Sequence, residues 1–225
     1  MKYFLLATAC FFFFSFSAQP IDQQSESFRP VFSAGLVGSQ VDGDTYAGYT
    51  KMGYFAGIGI NRRFSKIVEA EFALTFLQKG ARKNYQTDSA SIANGNLTFY
   101  LFRLDYVEIP FGFKFNYKRF KAEFGASFAY LIHWTEQNQN GYYNIYLPKN
   151  YDVSAYVGLG FKLTENTLVN LRNEYSAIPF RPFYGVGVYR GYFPYNLFNQ
   201  GLYNNLLVLS LNYKLPLKPT SENGQ

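Results

Sequence analysis

The chain has 225 residues, of which 48% are hydrophobic and 21% aromatic, while only 16% are charged, against roughly a quarter in an ordinary soluble domain. That balance excludes a disordered chain, and the lack of any apolar run near the roughly 18–20 residues of a spanning helix, beyond the extreme N-terminus, excludes a helical membrane bundle. The net charge of +6 is scattered without blocks of like sign, so no nucleic-acid partner is expected.

Met1 and Lys2 open a positive start, Phe4 to Phe16 is apolar, and Ser15-Phe16-Ser17-Ala18-Gln19 offers a small-x-small cleavage region. Residues 1–18 therefore read as a secretory signal peptide. A lipoprotein reading rests on Leu6-Ala7-Thr8-Ala9-Cys10, a loose lipobox, but the apolar stretch runs past Cys10 instead of ending there. With ordinary cleavage the only cysteine leaves with the signal, and the mature chain has no disulfide, thiol nucleophile or thiolate ligand.

The mature sequence alternates with period two, the signature of strands with one apolar face. Pro30 to Val37 and Met52 to Arg63 are Gly-rich strands. In Ile67 to Lys79, Val68, Ala70, Phe72, Leu74 and Phe76 share a face opposite Glu69, Glu71, Thr75 and Lys79. In Asp105 to Tyr117, Val107, Ile109, Phe111, Phe113 and Phe115 oppose Glu108, Gly112 and Lys114. Lys121 to His133 sets Ala122, Phe124, Ala126, Phe128, Tyr130 and Ile132 against Lys121, Glu123, Gly125 and Ser127. Val153 to Leu163, Leu168 to Ala177 and Asn205 to Leu215 complete eight predicted strands.

Short turns are predicted at Asn61 to Lys66, Tyr117 to Lys121 and Thr164 to Asn166. Long loops are predicted at Gly38 to Lys51, Ala81 to Arg103, Trp134 to Tyr151 and Pro179 to Tyr203. Strict alternation of short and long connections predicts an all-β, eight-stranded antiparallel up-and-down transmembrane barrel over residues 28–215, followed by a polar tail over 216–225. Strands of roughly 10 to 13 residues suit a tilted bilayer crossing, which needs about 9 to 11. Tyr100, Tyr106, Tyr130, Trp134, Tyr175 and Tyr213 fall near strand ends, where aromatic girdles form. A secreted lipocalin-like barrel or a β-sandwich shares the period, but with its apolar face inward. The Gly, Ala and Ser on the polar faces suit a narrow interior better than a solvent face.

The predicted lumen carries Arg63, Lys114, Lys121, Lys162, Arg172 and Lys214 with Glu69, Glu71, Glu108, Glu123 and Glu174. Isolated charges are costly in so tight a space, so a paired network is expected to fill it, arguing against a general porin.

Gly35-Leu36-Val37-Gly38, Gly53 with Ala56-Gly57, Glu71 leading into Gln78-Lys79-Gly80-Ala81, and Asp105-Tyr106-Val107-Glu108-Ile109-Pro110 with Lys114 resemble the PorT-like family of eight-stranded outer-membrane barrels. Glu123-Phe124-Gly125, Gly158-Leu159-Gly160-Phe161 and the closing Leu209 to Leu215 strand are weaker likenesses, and together they span Val31 to Leu215. The resemblance implies residence in the outer membrane of a Gram-negative bacterium, contact with its lipid, and, as for some members, a link to protein secretion through the type IX system. One departure is the carboxyl end, where a polar tail follows Leu215 in place of a terminal aromatic insertion signal.

Chemistry-bearing residues are few. His133 is the sole histidine, and with Glu136, Glu174 or Ser176 it could form the centre of a lipid-modifying barrel enzyme. A polar interface residue is the simpler reading, so no catalysis is expected. Asp42-Gly43-Asp44 could touch calcium, though a plain turn explains it, and neither cofactor nor metal is expected. The fourth long loop stands out, with Phe183, Tyr184, Tyr189, Arg190, Tyr192, Phe193 and Tyr195 as a candidate protein-binding surface on a monomer. The competing reading is a lid, its rings folding over the barrel mouth as a small core.

Overall fold

The computed structural model describes residues 28–44, 48–83, 99–138, 141–142, 147–182 and 201–216. Eight long strands make the wall: β1 (Arg29–Asp42), β2 (Lys51–Arg63), β3 (Val68–Lys83), β4 (Tyr100–Tyr117), β5 (Phe120–Asn138), β7 (Tyr151–Lys162), β8 (Thr167–Ser176) and β10 (Gly201–Lys214). Two two-residue strands, β6 (Gly141–Tyr142) and β9 (Arg181–Pro182), add to β5 and β10 at the long-loop end. Each long strand pairs antiparallel with its neighbour, and β1 pairs with β10 from Val31↔Lys214 to Asp42↔Tyr203, which closes the ring. Closure leaves no long edge with unpaired backbone, a requirement for any sheet in hydrocarbon.

The three short turns fall where the sequence places them, and two share one device. Ser65 Oγ accepts from the Ile67 and Val68 amides, while Thr164 Oγ1 accepts from those of Asn166 and Thr167. Each hydroxyl holds the chain in a turn that hands straight into the next strand. The third turn is the two residues between Tyr117 and Phe120, with Lys118 left-handed at φ 54°.

The long-loop ends are corrected. β1 runs to Asp42, β3 to Lys83 and β5 to Asn138, and β4 begins at Tyr100, so the predicted loops there give way to strand that continues beyond one bilayer crossing. The β3–β4 ladder skips between Phe72↔Phe111 and Thr75↔Glu108, beside Pro110, which has no N–H to donate. Nearer the long loops, opposite Asp105 and Tyr106, β5 carries a bulge: Leu131 pairs with Tyr106 and His133 with Asp105, so Ile132 is extra. Beyond the bulge the facing reverses. Trp134 turns toward the interior cluster of Phe102, Leu104 and Phe180 instead of the outer girdle. Tyr106 is likewise fully buried, while Tyr130 and Tyr213 remain exposed.

The outward face carries the predicted apolar sets. Phe32, Leu36, Ile58, Phe72, Leu74, Phe111, Phe124, Phe128, Val157, Leu159, Leu171, Leu209 and Leu211 are all exposed around the ring. A water-soluble monomer rarely exposes more than a few hundred Å² of contiguous apolar surface. A soluble barrel would also turn these residues inward, whereas here the interior holds the charges.

Candidate functional site

The lumen is filled in layers from the short turns to the long loops. At the first level Glu69 takes three cations: Lys214 at 2.6 Å, Lys121 at 2.8 Å and Arg63 at 3.0 Å. Lys214 also donates to Asn61 Oδ1. Next, Lys114 bridges Glu71 at 2.6 Å and Glu123 at 3.6 Å, and Arg172 Nε and Asn170 both donate to Glu123 at 2.8 Å. The Arg172 guanidinium lies 4.0 Å from the centre of the Tyr156 ring.

Tyr156 owes its place to two glycines. Gly112 and Gly125 face one another across β4 and β5, and the phenol end of Tyr156 lies where their side chains would be. Gly125→Val would overlap both Tyr156 and the Phe111 carbonyl. The expected loss is about 1–3 kcal/mol, read as a lower urea midpoint for the gel-mobility shift between folded and unfolded barrel.

The third level is built on Lys79, which is completely enclosed. Its Nζ lies 2.8 Å from Glu174, 3.1 Å from Asp152 and 3.3 Å from Glu108, and 5.1 Å from the Tyr106 ring centre. Asp152 also accepts from Ser176 Oγ at 3.0 Å and Asn204 Nδ2 at 2.9 Å. Across the lumen, Val37, Phe55, Leu77, Leu206 and Val208 form an apolar wall, so rings and aliphatic chains share the filling with the charges.

At the long-loop end Phe180 drops into the mouth against Phe102, with ring centres 5.8 Å apart. Its amide donates to the Leu202 carbonyl, and its carbonyl accepts from the Lys149 amide. Arg181 grips Glu136 through both guanidinium nitrogens at 2.8 and 3.1 Å, Tyr100 donates to the same carboxylate at 2.7 Å, and Phe102 lies beneath the guanidinium. Phe180 and Arg181, soon after β8, thus pack into the barrel mouth.

Of the residues assigned to the lumen from sequence, Arg63, Glu69, Glu71, Glu108, Lys114, Lys121, Glu123, Arg172, Glu174 and Lys214 meet in these layers. Lys162 does not: it is half-buried at the short-turn end of β7 and joins no ion pair among the described residues. Lys79, Asp152 and the Glu136–Arg181 pair were not assigned to the network. Lys79 sits on the polar side of its strand, which is the signal for it. Asp152 is the second residue of β7, just outside the predicted strand from Val153, and Arg181 lies in a predicted loop, so alternation could not place them.

His133 finds none of the partners proposed for it. Glu136 is held by Arg181 and Tyr100, Glu174 by Lys79, and Ser176 by Asp152. Its Nδ1 lies instead 3.2 Å from Asp105 Oδ2 on the outer wall, and no hydroxyl nucleophile bonds to the ring among the described residues. Among those residues no group of His, Cys, Asp and Glu could hold a metal ion. Phe183, Tyr184, Tyr189, Arg190, Tyr192, Phe193 and Tyr195 lie outside the described residues, as do the signal segment and most of the tail.

The sequence matches no protein-family model and no curated protein. Among solved structures the chain is similar to Neisserial surface protein A, with a TM-score of 0.52 and 13% identity over 84% of this chain and all of that one. It also resembles Ail, the attachment invasion locus protein of Yersinia pestis, at TM-score 0.45 and 12% identity over 84% of this chain and 99% of that one. The outer membrane protein OprG of Pseudomonas aeruginosa aligns at TM-score 0.40 and 9% identity over 86% of this chain and 98% of that one. At these identities the first likeness speaks for the fold, the small eight-stranded barrel.

Proposed function

We propose that the protein is a non-enzymatic, PorT-like barrel resident in the outer membrane of a Gram-negative bacterium, a closed anchor that presents its long loops to the outside. The observation that carries this reading is the pairing of an apolar outer wall with an interior filled by ion pairs and rings. The outer wall suits hydrocarbon, and the filled interior suits anchoring better than transport, because eight strands leave room only for side chains. Function then falls to the loops. The aromatic segment between Phe183 and Tyr195 is the proposed contact for another protein, with a part in secretion as the specific role the PorT-like resemblance suggests.

Fractionation of expressing cells tests the reading. The chain is expected in the outer-membrane fraction, heat-modifiable on gels, and without conductance steps in a planar bilayer. Recovery from the soluble periplasm would overturn the membrane assignment, and discrete channel openings would overturn the closed anchor. His133→Ala should leave the lipid composition of those membranes unchanged; a change seen only with the wild-type histidine would restore the enzyme reading.

A further inference from the structure

The outer wall is not uniform. Across β1, β2 and β3 it dips into an apolar depression of about 600 Å³, floored by Ala34 and Ala56, which pair directly, and walled by Phe32, Ile58, Leu74 and Phe76. Val107 on β4 borders it beside Phe76. Toward the long loops the same two strands change character at once. The next outward pairs are Gln78↔Asp105 and Gly80↔Arg103, with Arg82 beyond them.

Asp105 holds this rim together. It accepts from Gln78 at 2.9 Å and from Arg103 Nε at 3.0 Å, and it faces His133. It is itself almost buried, while the side chains of Arg103 and His133 remain 43% and 57% exposed. Arg82 is exposed and makes no ion pair among the described residues. The rim therefore offers two guanidinium groups against one shielded carboxylate. Arg103 lies four residues above Val107, about 13 Å along the strand and about 10 Å along the membrane normal at the usual barrel tilt. One leaflet's hydrocarbon is about 15 Å deep, so a chain in the depression would bring its own headgroup to the rim.

We propose that this strip of wall holds one net-anionic lipid of the outer leaflet, with an acyl chain in the depression over Ala34 and Ala56 and a headgroup phosphate on Arg82 and Arg103. Charge-assisted bonds from guanidinium to phosphate fix the headgroup, and the short side chains below leave the volume that the chain fills. Asp105 acts as the brace that aims Arg103, leaving one edge of its guanidinium free.

The proposal rests on the membrane reading above, and one experiment separates the two. The full barrel is inserted into nanodiscs of equal phosphatidylglycerol and phosphatidylcholine with identical acyl chains, released, checked for heat-modifiability, and weighed by native mass spectrometry. Wild type is expected to retain phosphatidylglycerol over phosphatidylcholine by about tenfold, the equivalent of one such interaction. Arg82→Gln, which breaks no ion pair among the described residues, and Arg82→Gln with Arg103→Gln should bring the ratio toward one. Ala56→Phe should reduce retention of both lipids. Equal retention by wild type, an unchanged ratio in the Gln variants, unchanged retention in Ala56→Phe, or a second copy of the chain in place of lipid would each overturn the proposal. A chain that never enters the nanodisc and shows no heat-modifiability overturns the membrane reading, and this one with it.

Discussion

Lys79→Met is expected to cost the folded barrel about 3–5 kcal/mol, the range for breaking a buried ion pair by removing one partner. The ammonium is the common partner of Glu108, Asp152 and Glu174, all three buried in the middle of the lumen. Without it three carboxylates face one another where little water can enter. Ser176 and Asn204 support only Asp152, so they cannot compensate for the other two. The measurement is the urea midpoint of the folded band in lipid vesicles, which should fall steeply or disappear. Adding Glu108→Gln and Glu174→Gln to Lys79→Met should recover most of the loss, because neutral amides carry no unpaired charge. A variant as stable as wild type, with the charges unrelieved, would show that Lys79 is not what holds this layer together.

Glu69→Gln should come next, at about 3 kcal/mol on the same scale. Its carboxylate is the shared ion-pair partner of Lys121 and Lys214, both buried, and of the half-exposed Arg63. An amide would leave the two buried ammonium groups together near the short turns. Arg63→Gln is the matching control. Its guanidinium reaches solvent, so its loss should cost under about 1 kcal/mol, as for exposed pairs generally. If the two variants moved the midpoint equally, the difference between the enclosed and the exposed partners would carry no weight.

These layers show how far alternation can be trusted. Inward and outward facing is a local property, set by the pleat of each strand, so Glu71, Glu108, Lys114 and Glu123 could be assigned to the lumen one strand at a time. Their partners could not. Lys79 on β3 meets Asp152 on β7 and Glu174 on β8, residues 73 and 95 positions away, and that meeting depends on how far the strands stagger as the ring closes. The bulge at Ile132 is a second limit. One extra residue reverses every side chain above it, which carries Trp134 from the predicted girdle to the interior. His133, next to it, exchanges its proposed partners Glu136, Glu174 and Ser176 for Asp105.

The residues by themselves determined the class of this protein: period two, three short turns and a greasy face with no helix long enough to span dictate a closed antiparallel barrel with its apolar side outward. What only the tertiary structure decided is what that barrel contains and where its wall is special. Ion pairing, the plug of Phe180 and Arg181, and the Arg82–Arg103 rim above the apolar depression join residues from strands that the sequence separates. Alternation fixes which way each side chain points, while closure and stagger fix which side chains meet.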